Sequence, residues 1–98
     1  MHIIKRKTIV DFYLKNPQSK DALEDWFSKT KKATWTNFAD MKMTFNSVDN
    51  VGNQHYVFNI KGNDYRLVAV VKFTIQNVLI RFIGTHKQYD HIKTINEI

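Results

Sequence analysis

Two kinds of hydrophobic spacing divide the chain near Phe45. Before this point apolar residues recur three and four positions apart, which is the spacing of one face of an α-helix. Beyond it, β-branched and aromatic residues form short runs bounded by turn residues, which is typical of β-strands. The pattern therefore predicts helices in the first half, a sheet in the second, and an α+β fold.

The first predicted helix carries Ile9, Phe12 and Tyr13, which fall on one side of a helix. It must end near Asn16, because the residue before Pro17 is disfavoured in helical conformation. A short strand at His2 to Ile4 precedes it and is expected to close one edge of the sheet.

The second predicted helix begins at Ser19, a plausible N-cap, with acidic residues in its first turns and lysines in its last turn. Its apolar stripe is expected to pack in the core rather than to hold a ligand. The stripe consists of Ala22, Leu23, Trp26, Phe27 and Thr30. The stretch "TNFADMKMTF" predicts one further short helical turn with Thr36 as its cap.

Three strands are predicted in the second half, at "HYVFNIK", "YRLVAVVKF" and "VLIRFIG". The turns "GND" and "IQN" between them are short enough for antiparallel hairpins. The middle run is apolar on both faces from Leu67 to Val71, so it should be the central strand. The preceding "SVDNVGNQ" is rich in turn residues and is expected to form turns. We therefore expect N-terminal helices packed on a small antiparallel sheet, in a single domain spanning residues 1–98.

Composition narrows the class of partner. The chain has 98 residues and a net charge of +6, from 15 Lys and Arg against 9 Asp and Glu. This excess favours a polyanion such as nucleic acid, or an acidic protein that covers the same face. The absence of cysteine excludes a disulfide framework and a thiolate zinc site. The chain shows no apolar run long enough to cross a bilayer and no signal peptide, so we expect a cytoplasmic protein without a membrane partner.

Two arginines interrupt the apolar strand patterns. Alternation places Arg66 on the face of Val68 and Val70, and Arg81 on the face of Leu79 and Ile83. An unpaired buried guanidinium is costly, so each arginine should reach an anion. That anion is either an internal carboxylate, such as that of Asp64 or Asp90, or an external phosphate. The sequence leaves both possibilities open.

A cluster of polar groups follows the apparent break at Gly84: His86, Lys87, Tyr89, Asp90 and His91. The two histidines are five residues apart, which does not bring both to one helix face, and we predict neither a metal site nor a cofactor. An imidazole or phenol beside cations can transfer protons and stabilise a phosphate transition state without metal. Such a site would cut RNA, whose 2′-hydroxyl supplies the nucleophile. The simpler interpretation is that a C-terminal His and Tyr cap or pack.

Longer stretches carry a family resemblance: "MHIIKRKTIVDFYLKNP", "WFSKTKKATWTNFADMK", "FNIKGNDYRL" and "RFIGTHKQYD". With them the chain resembles the HigB group of toxins from bacterial type II toxin–antitoxin systems, within the RelE/ParE superfamily. The resemblance implies a compact RelE-like ribonuclease that cleaves messenger RNA, usually on the translating ribosome. It also implies a cognate HigA-type antitoxin that holds the toxin inactive.

The resemblance also implies roles for particular residues. Arg66 and Lys61 match the basic sheet positions of the family, Arg81 matches the arginine of the last strand, and the tail of the motif is His86, Tyr89 and Asp90. We expect His86 as general base or acid, Tyr89 as a second proton-transfer group or stacking platform, and Arg66 or Arg81 as the phosphate clamp. Asp90 would orient His86 or His91. Lys61, Lys87 and His91 would bind RNA.

Two alternatives share this fold. One is a ParE-like inhibitor of DNA gyrase, which needs no proton-transfer groups, so the cluster after Gly84 argues against it. The other is a basic RNA-binding module that stacks bases on exposed aromatic rings and performs no chemistry.

Overall fold

The chain folds around one five-stranded sheet. The computed structural model describes all of residues 1–98. In chain order the elements are β1 (His2–Ile4), α1 (Arg6–Lys15), α2 (Lys20–Lys32), α3 (Phe38–Thr44), β2 (Asp49–Gly52), β3 (His55–Ile60), β4 (Tyr65–Lys72), β5 (Asn77–Thr85) and α4 (His86–Asp90). Short 3-10 turns occupy Pro17–Ser19 and Ile95–Glu97. The spatial order of the strands is β1-β5-β4-β3-β2, which confirms the α+β fold and the central position of β4.

The sheet is mixed rather than purely antiparallel, which corrects the prediction. Strand β1 runs parallel to β5, with Ile3 opposite Val78. A parallel pair needs a long connection between its strands, and the helices form part of the chain between β1 and β5. A strand also occupies Asp49–Gly52, where only turns were expected. This strand pairs with β3 alone and is largely exposed, so it lacks the apolar alternation by which strands are recognised.

The helices cover one face of the sheet. Ile9, Leu23 and Trp26 are buried against the face of β4 that carries Leu67 and Ala69. The Trp26 ring meets the Phe58 ring edge to face, with centroids 5.3 Å apart. The apolar stripe of α2 is therefore core, as predicted. None of the helices combines the length and the apolarity that crossing a bilayer requires.

Helix capping differs from the prediction at two helices. The Ser19 hydroxyl donates a hydrogen bond to the main-chain oxygen of Asn16 and does not cap α2, because a 3-10 turn precedes the helix. At α3 the cap is Asn37, whose side chain accepts from the Asp40 amide at 2.9 Å. The expected cap, Thr36, instead donates its amide and its hydroxyl to the Asp40 carboxylate.

These donors make Asp40 a pH-dependent contributor to stability. Hydrogen bonds from the Thr36 amide and hydroxyl lower the pKa of Asp40 below its ordinary value of 3.8. A lowered native pKa means that the stabilisation is complete above the unfolded-state pKa and is lost as the pH falls through the native value.

We therefore expect Asp40→Asn to lower the free energy of unfolding at pH 7. The difference from the unsubstituted chain should shrink when the pH is taken below the ordinary Asp pKa of about 4. Urea denaturation at several pH values would measure it. An equal loss at neutral and acidic pH would show that the charge of Asp40 contributes nothing.

Candidate functional site

One end of the sheet collects most of the predicted site residues. There the turn between β3 and β4 lies against the junction of β5 with α4, since the His86 amide donates to the Asp64 main-chain oxygen at 3.1 Å. The Arg66 guanidinium carbon lies 5.9 Å from the centroid of the Tyr89 ring. Lys61 in the turn and Lys87 in the first turn of α4 are both exposed at this end. We call this end, with Arg66, His86 and Tyr89 at its centre, the α4 site.

A capping box positions α4. The Gln88 amide donates to the Thr85 hydroxyl oxygen at 3.1 Å, and the Thr85 amide donates to the Gln88 side-chain oxygen at 2.8 Å. These bonds satisfy donors that a helix start otherwise leaves unpaired. The segment after the sheet, for which no element was predicted, is therefore a helix. The spacing Thr-x-x-Gln in the sequence signals it, and sequence reasoning missed that signal.

Gly84 lies inside β5 rather than at a break, which corrects the predicted strand end. It stands opposite Arg66 in the β4–β5 pairing. A β-carbon at this position would overlap Cζ of Phe82 and lie 2.8 Å from Oε1 of Gln88. The missing side chain therefore lets the Phe82 ring and the capping glutamine approach the strand beside Arg66.

Arg66 has no acidic partner. Its side chain is half-buried and its Nη1 donates to the Asn63 main-chain oxygen at 3.2 Å, but no carboxylate lies within 4.0 Å of it. The internal salt bridge with Asp64 or Asp90 is thus not formed. The positive charge at the α4 site remains available to an external anion.

Arg81 occupies a different place. The β4–β5 register shifts between Val68 and Ala69, so one residue of β5 is extra there, and it is Arg81. As a result Leu79 and Ile83, predicted to share a face with Arg81, lie on opposite faces, and Ile83 packs against the helical core. Four residues of strand separate Arg81 from the end of β5, about 13 Å.

The C-terminal segment binds Arg81. Arg81 Nε donates to the main-chain oxygen of Ile98 at 3.0 Å, so this arginine contacts the C-terminal segment rather than Asp64, Asp90 or Tyr89. His55 Nε2 lies 3.0 Å from the same oxygen, and His55 Nδ1 lies 2.7 Å from the Asn53 oxygen. Asn96 Nδ2 also donates a hydrogen bond to the main-chain oxygen of Val51, at 3.0 Å. The segment thereby covers part of the sheet face opposite the helices.

His55 and Asp49 are two residues of this face that sequence reasoning did not select. His55 is 5% exposed, at the start of β3. Asp49 lies in β2 close enough to raise the pKa of Tyr89. His55 contacts Ile98 and Asp49 influences Tyr89, both some 40 residues away along the chain. No local sequence pattern therefore indicates these two residues.

His86 and Asp90 lie one helical turn apart on α4. Their Nε2 and Oδ2 atoms are 3.7 Å apart, and both side chains are about half exposed, at 51% and 57%. This separation allows the carboxylate to attract a charged imidazole and falls outside hydrogen-bonding distance. His91 follows the last residue of α4 and is exposed. Its amide donates a hydrogen bond to the main-chain oxygen of Gln88.

The environment of Tyr89 keeps its phenol protonated. Partial burial is the largest influence and raises the pKa of Tyr89 above its ordinary 10.0. The neighbouring Arg66 charge opposes this, while Asp49 and Asp90 add to it. At neutral pH the hydroxyl can therefore donate a proton or a hydrogen bond. Among the His, Asp and Glu side chains of the whole chain, no group of three or more is arranged to hold a metal ion.

Comparison with known proteins identifies similar chains. A family model described as HigB_toxin, RelE-like toxic component of a toxin-antitoxin system, matches residues 19–92. The "mRNA interferase toxin HigB" of Escherichia coli (strain K12) is 37% identical over 98 residues, covering 98% of this chain and 94% of that protein. The "mRNA interferase HigB" of Shigella flexneri matches to the same extent. The "mRNA interferase HigB" of Escherichia coli O6:H1 is 27% identical over 94 residues, 94% of this chain and 91% of that protein.

The close approach at Gly84 leads to a test of how α4 is held. We expect Gly84→Ala to lower the free energy of unfolding by about 1–3 kcal/mol, the usual cost of overpacking. In a Phe82→Leu background, which lacks Cζ, the same substitution should cost less. Urea denaturation of the four chains in a double-mutant cycle measures the difference. Equal costs in both backgrounds would show that the Phe82 ring does not set the constraint.

Proposed function

The chain belongs to the HigB family of RelE-like toxins, and from this membership we propose that it is an endoribonuclease that cleaves messenger RNA at the α4 site. The observation that carries the location is the pairing of Arg66 with the Tyr89 ring beside His86, with no carboxylate neutralising the arginine. Curated relatives with the name mRNA interferase support the activity.

Arg66 is the proposed phosphate clamp. A guanidinium presents several donors in a planar fork that matches phosphate oxygens, and its charge is worth most where other anions do not neutralise it. Arg66 is half-buried and has no carboxylate within 4.0 Å. Arg81, the other candidate, is bound to Ile98 and lies farther from Tyr89, so we assign the role to Arg66.

His86 and Tyr89 are the proposed proton-transfer pair. A neutral imidazole can accept a proton near pH 7, and Asp90 at 3.7 Å stabilises the imidazolium that results. Tyr89 keeps its proton because its pKa is raised, so the phenol serves as donor rather than base. Asp90 thus acts through His86 and is a positioning residue.

The proposed reaction needs no metal. His86 takes the proton of a ribose 2′-hydroxyl, and the oxygen attacks the adjacent phosphorus. The bond from phosphorus to the 5′-oxygen breaks, and that oxygen receives a proton from Tyr89, while Arg66 stabilises the charge on the non-bridging oxygens. The products are a 2′,3′-cyclic phosphate and a 5′-hydroxyl. Lys61, Lys87 and His91 are exposed around the site and would contact the RNA backbone.

The partners follow from the family. As the toxic component of a toxin–antitoxin system, the chain has a cognate antitoxin, and we propose that this is of the HigA type. We also propose that cleavage takes place in the cytoplasm on messages that the ribosome is translating. The net charge of +6 is consistent with an RNA-rich target. No observation at this site specifically favours a gyrase inhibitor or a non-catalytic RNA-binding module.

The two arginines give a matched test of the clamp. Arg66→Ala should reduce the cleavage rate of a translated message by about 10²–10³-fold, the usual effect of losing a transition-state charge stabiliser. Arg81→Ala, the same charge change elsewhere on the sheet, should reduce it much less. Primer extension on a reporter message measures both rates. Equal effects, or full activity of Arg66→Ala with unchanged thermal stability, would refute the assignment.

The chemistry can be tested through the RNA ends. Cleaved messages should carry 2′,3′-cyclic phosphate or 3′-phosphate ends, and a single 2′-deoxyribose at the cleaved position should abolish cutting, because the nucleophile is missing. Cleavage should persist in EDTA under conditions that keep the ribosome assembled by polyamines. Loss of cutting in EDTA under those conditions, or 5′-phosphate ends, would contradict the mechanism.

A further inference from the structure

A pocket of about 240 Å³ lies at the edge of the sheet, beside the point where β2 begins. Strand β2 pairs with β3 only from Asp49, which is opposite Val57. Beyond this pair no strand lies on that side of β3, and the pocket is found there. The residues that line it include Met43, Phe45, Asn46, Ser47, Phe58 and Asn59, and we call it the Asn59 pocket.

The turn at residues 45–48 forms one wall of the pocket. The Phe45 amide donates to the Met41 main-chain oxygen at 2.9 Å, and the Val48 amide donates to the Phe45 oxygen at 3.2 Å, so the turn directly follows α3. The Phe45 ring meets the Phe58 ring edge to face, with centroids 5.4 Å apart. Because these contacts fix the wall to the core, the pocket is preformed.

The polar side chains of the Asn59 pocket are not used by the fold. Those of Asn46, Ser47 and Asn59 make no hydrogen bond within the chain. No charged residue lines the pocket. Such a lining does not suit a phosphate or a metal ion. It suits an uncharged group that both donates and accepts hydrogen bonds.

Asn59 connects the pocket with the α4 site. It is directly opposite Arg66 in the β3–β4 pairing, so the two side chains lie on the same face of the sheet. The β-carbons of such a pair are about 5 Å apart. A ligand whose phosphate is held by Arg66 can therefore place its adjoining group in the pocket.

In RNA the group attached next to each phosphate is a nucleoside, whose base is planar and uncharged. Proteins recognise unpaired bases by stacking and by hydrogen bonds to their edges. Met43, which is 87% exposed, and the half-buried Phe45 ring offer apolar surface, while Asn46 and Asn59 offer carboxamides. Sites for drug-sized ligands start at about 300 Å³, so this smaller volume suits one base rather than two.

We propose that the Asn59 pocket binds one nucleobase of the message, that of a nucleotide adjoining the phosphate held by Arg66, and that Asn59 thereby influences which sequences are cut. The inference rests on the proposed function and adds a specificity site to it. A carboxamide presents a donor beside an acceptor and can pair with a base edge through two hydrogen bonds. A segment of an acidic protein partner, which the net charge of +6 favours, would find no cation in this pocket.

Mapping of cleavage positions tests the proposal. The substrate is a reporter message with randomised nucleotides on both sides of the cut, and the new 5′ ends are sequenced. The unsubstituted chain should prefer a particular base at one position adjoining the cut. Asn59→Ala should reduce the ratio of cleavage between favoured and disfavoured bases at that position about fivefold or more, the effect of losing a two-bond contact. Preferences at other positions should persist.

Asn77→Ala is the matched control. Asn77 is also a half-buried strand residue whose side chain makes no hydrogen bond within the chain. It is opposite Lys72, six residues of strand from Arg66, which corresponds to roughly 20 Å. The same substitution there should leave the base preference unchanged.

A second variant approaches the pocket from its other wall. Asn46→Ala with Ser47→Ala changes two exposed turn residues, so the core is untouched and the chain should fold. It should relax the preference at the same position as Asn59→Ala. Thermal unfolding followed by circular dichroism checks all variants.

The outcomes separate this inference from the proposed function. Unchanged preference in both pocket variants, with RNA still cut by the unsubstituted chain, would overturn the inference and leave the proposed function in place. A uniform fall in cleavage of all sequences, or an equal change in Asn77→Ala, would also overturn it. Unchanged preference combined with lost co-purification of a co-expressed antitoxin would assign the pocket to a protein partner instead. If the unsubstituted chain cut no RNA, the proposed function and the inference would both be wrong.

Discussion

The pairing of β4 with β5 is the constraint on which the rest of the structure depends. It places β4 at the centre of the sheet and buries Leu67 and Ala69 beneath the helices, which commits Arg66 to the opposite face. It also sets Gly84 opposite Arg66 and Thr85 opposite Tyr65. The chain therefore leaves the sheet beside the arginine, and α4 brings Tyr89 to it.

The same pairing separates the two strand arginines. Without the bulge, strict alternation would continue along β5 and Arg81 would face the same side as Leu79 and Ile83. With one extra residue, Ile83 turns to the core and Arg81 projects towards the C-terminal segment. A bulge interrupts the regular hydrogen bonding between strands. Here it changes the direction of the Arg81 side chain, so that Arg66 is the arginine nearest Tyr89.

The electrostatics of the α4 site depend on the absence of a carboxylate beside Arg66. The two carboxylates nearest in sequence or along α4, Asp64 and Asp90, do not pair with it, and Asp90 lies instead beside His86. Partial burial raises the pKa of Tyr89 and so keeps its phenol protonated, while the imidazole of His86 is exposed. The proposed proton acceptor, proton donor and phosphate clamp thus lie on one helix and the adjacent strand.

The sequence by itself determined the helical stripe around Trp26, the central strand from Leu67 to Val71, and the concentration of polar groups from His86 to Asp90. These features arise from local periodicity and composition, which a single chain displays directly. Tertiary structure alone decided that β1 runs parallel, that polar Asp49–Gly52 is a strand, and that Arg81 meets Ile98 while Arg66 meets Tyr89. Each of these depends on pairing between distant segments, where a shift of one residue changes the face on which a side chain lies, and local patterns carry no record of that register.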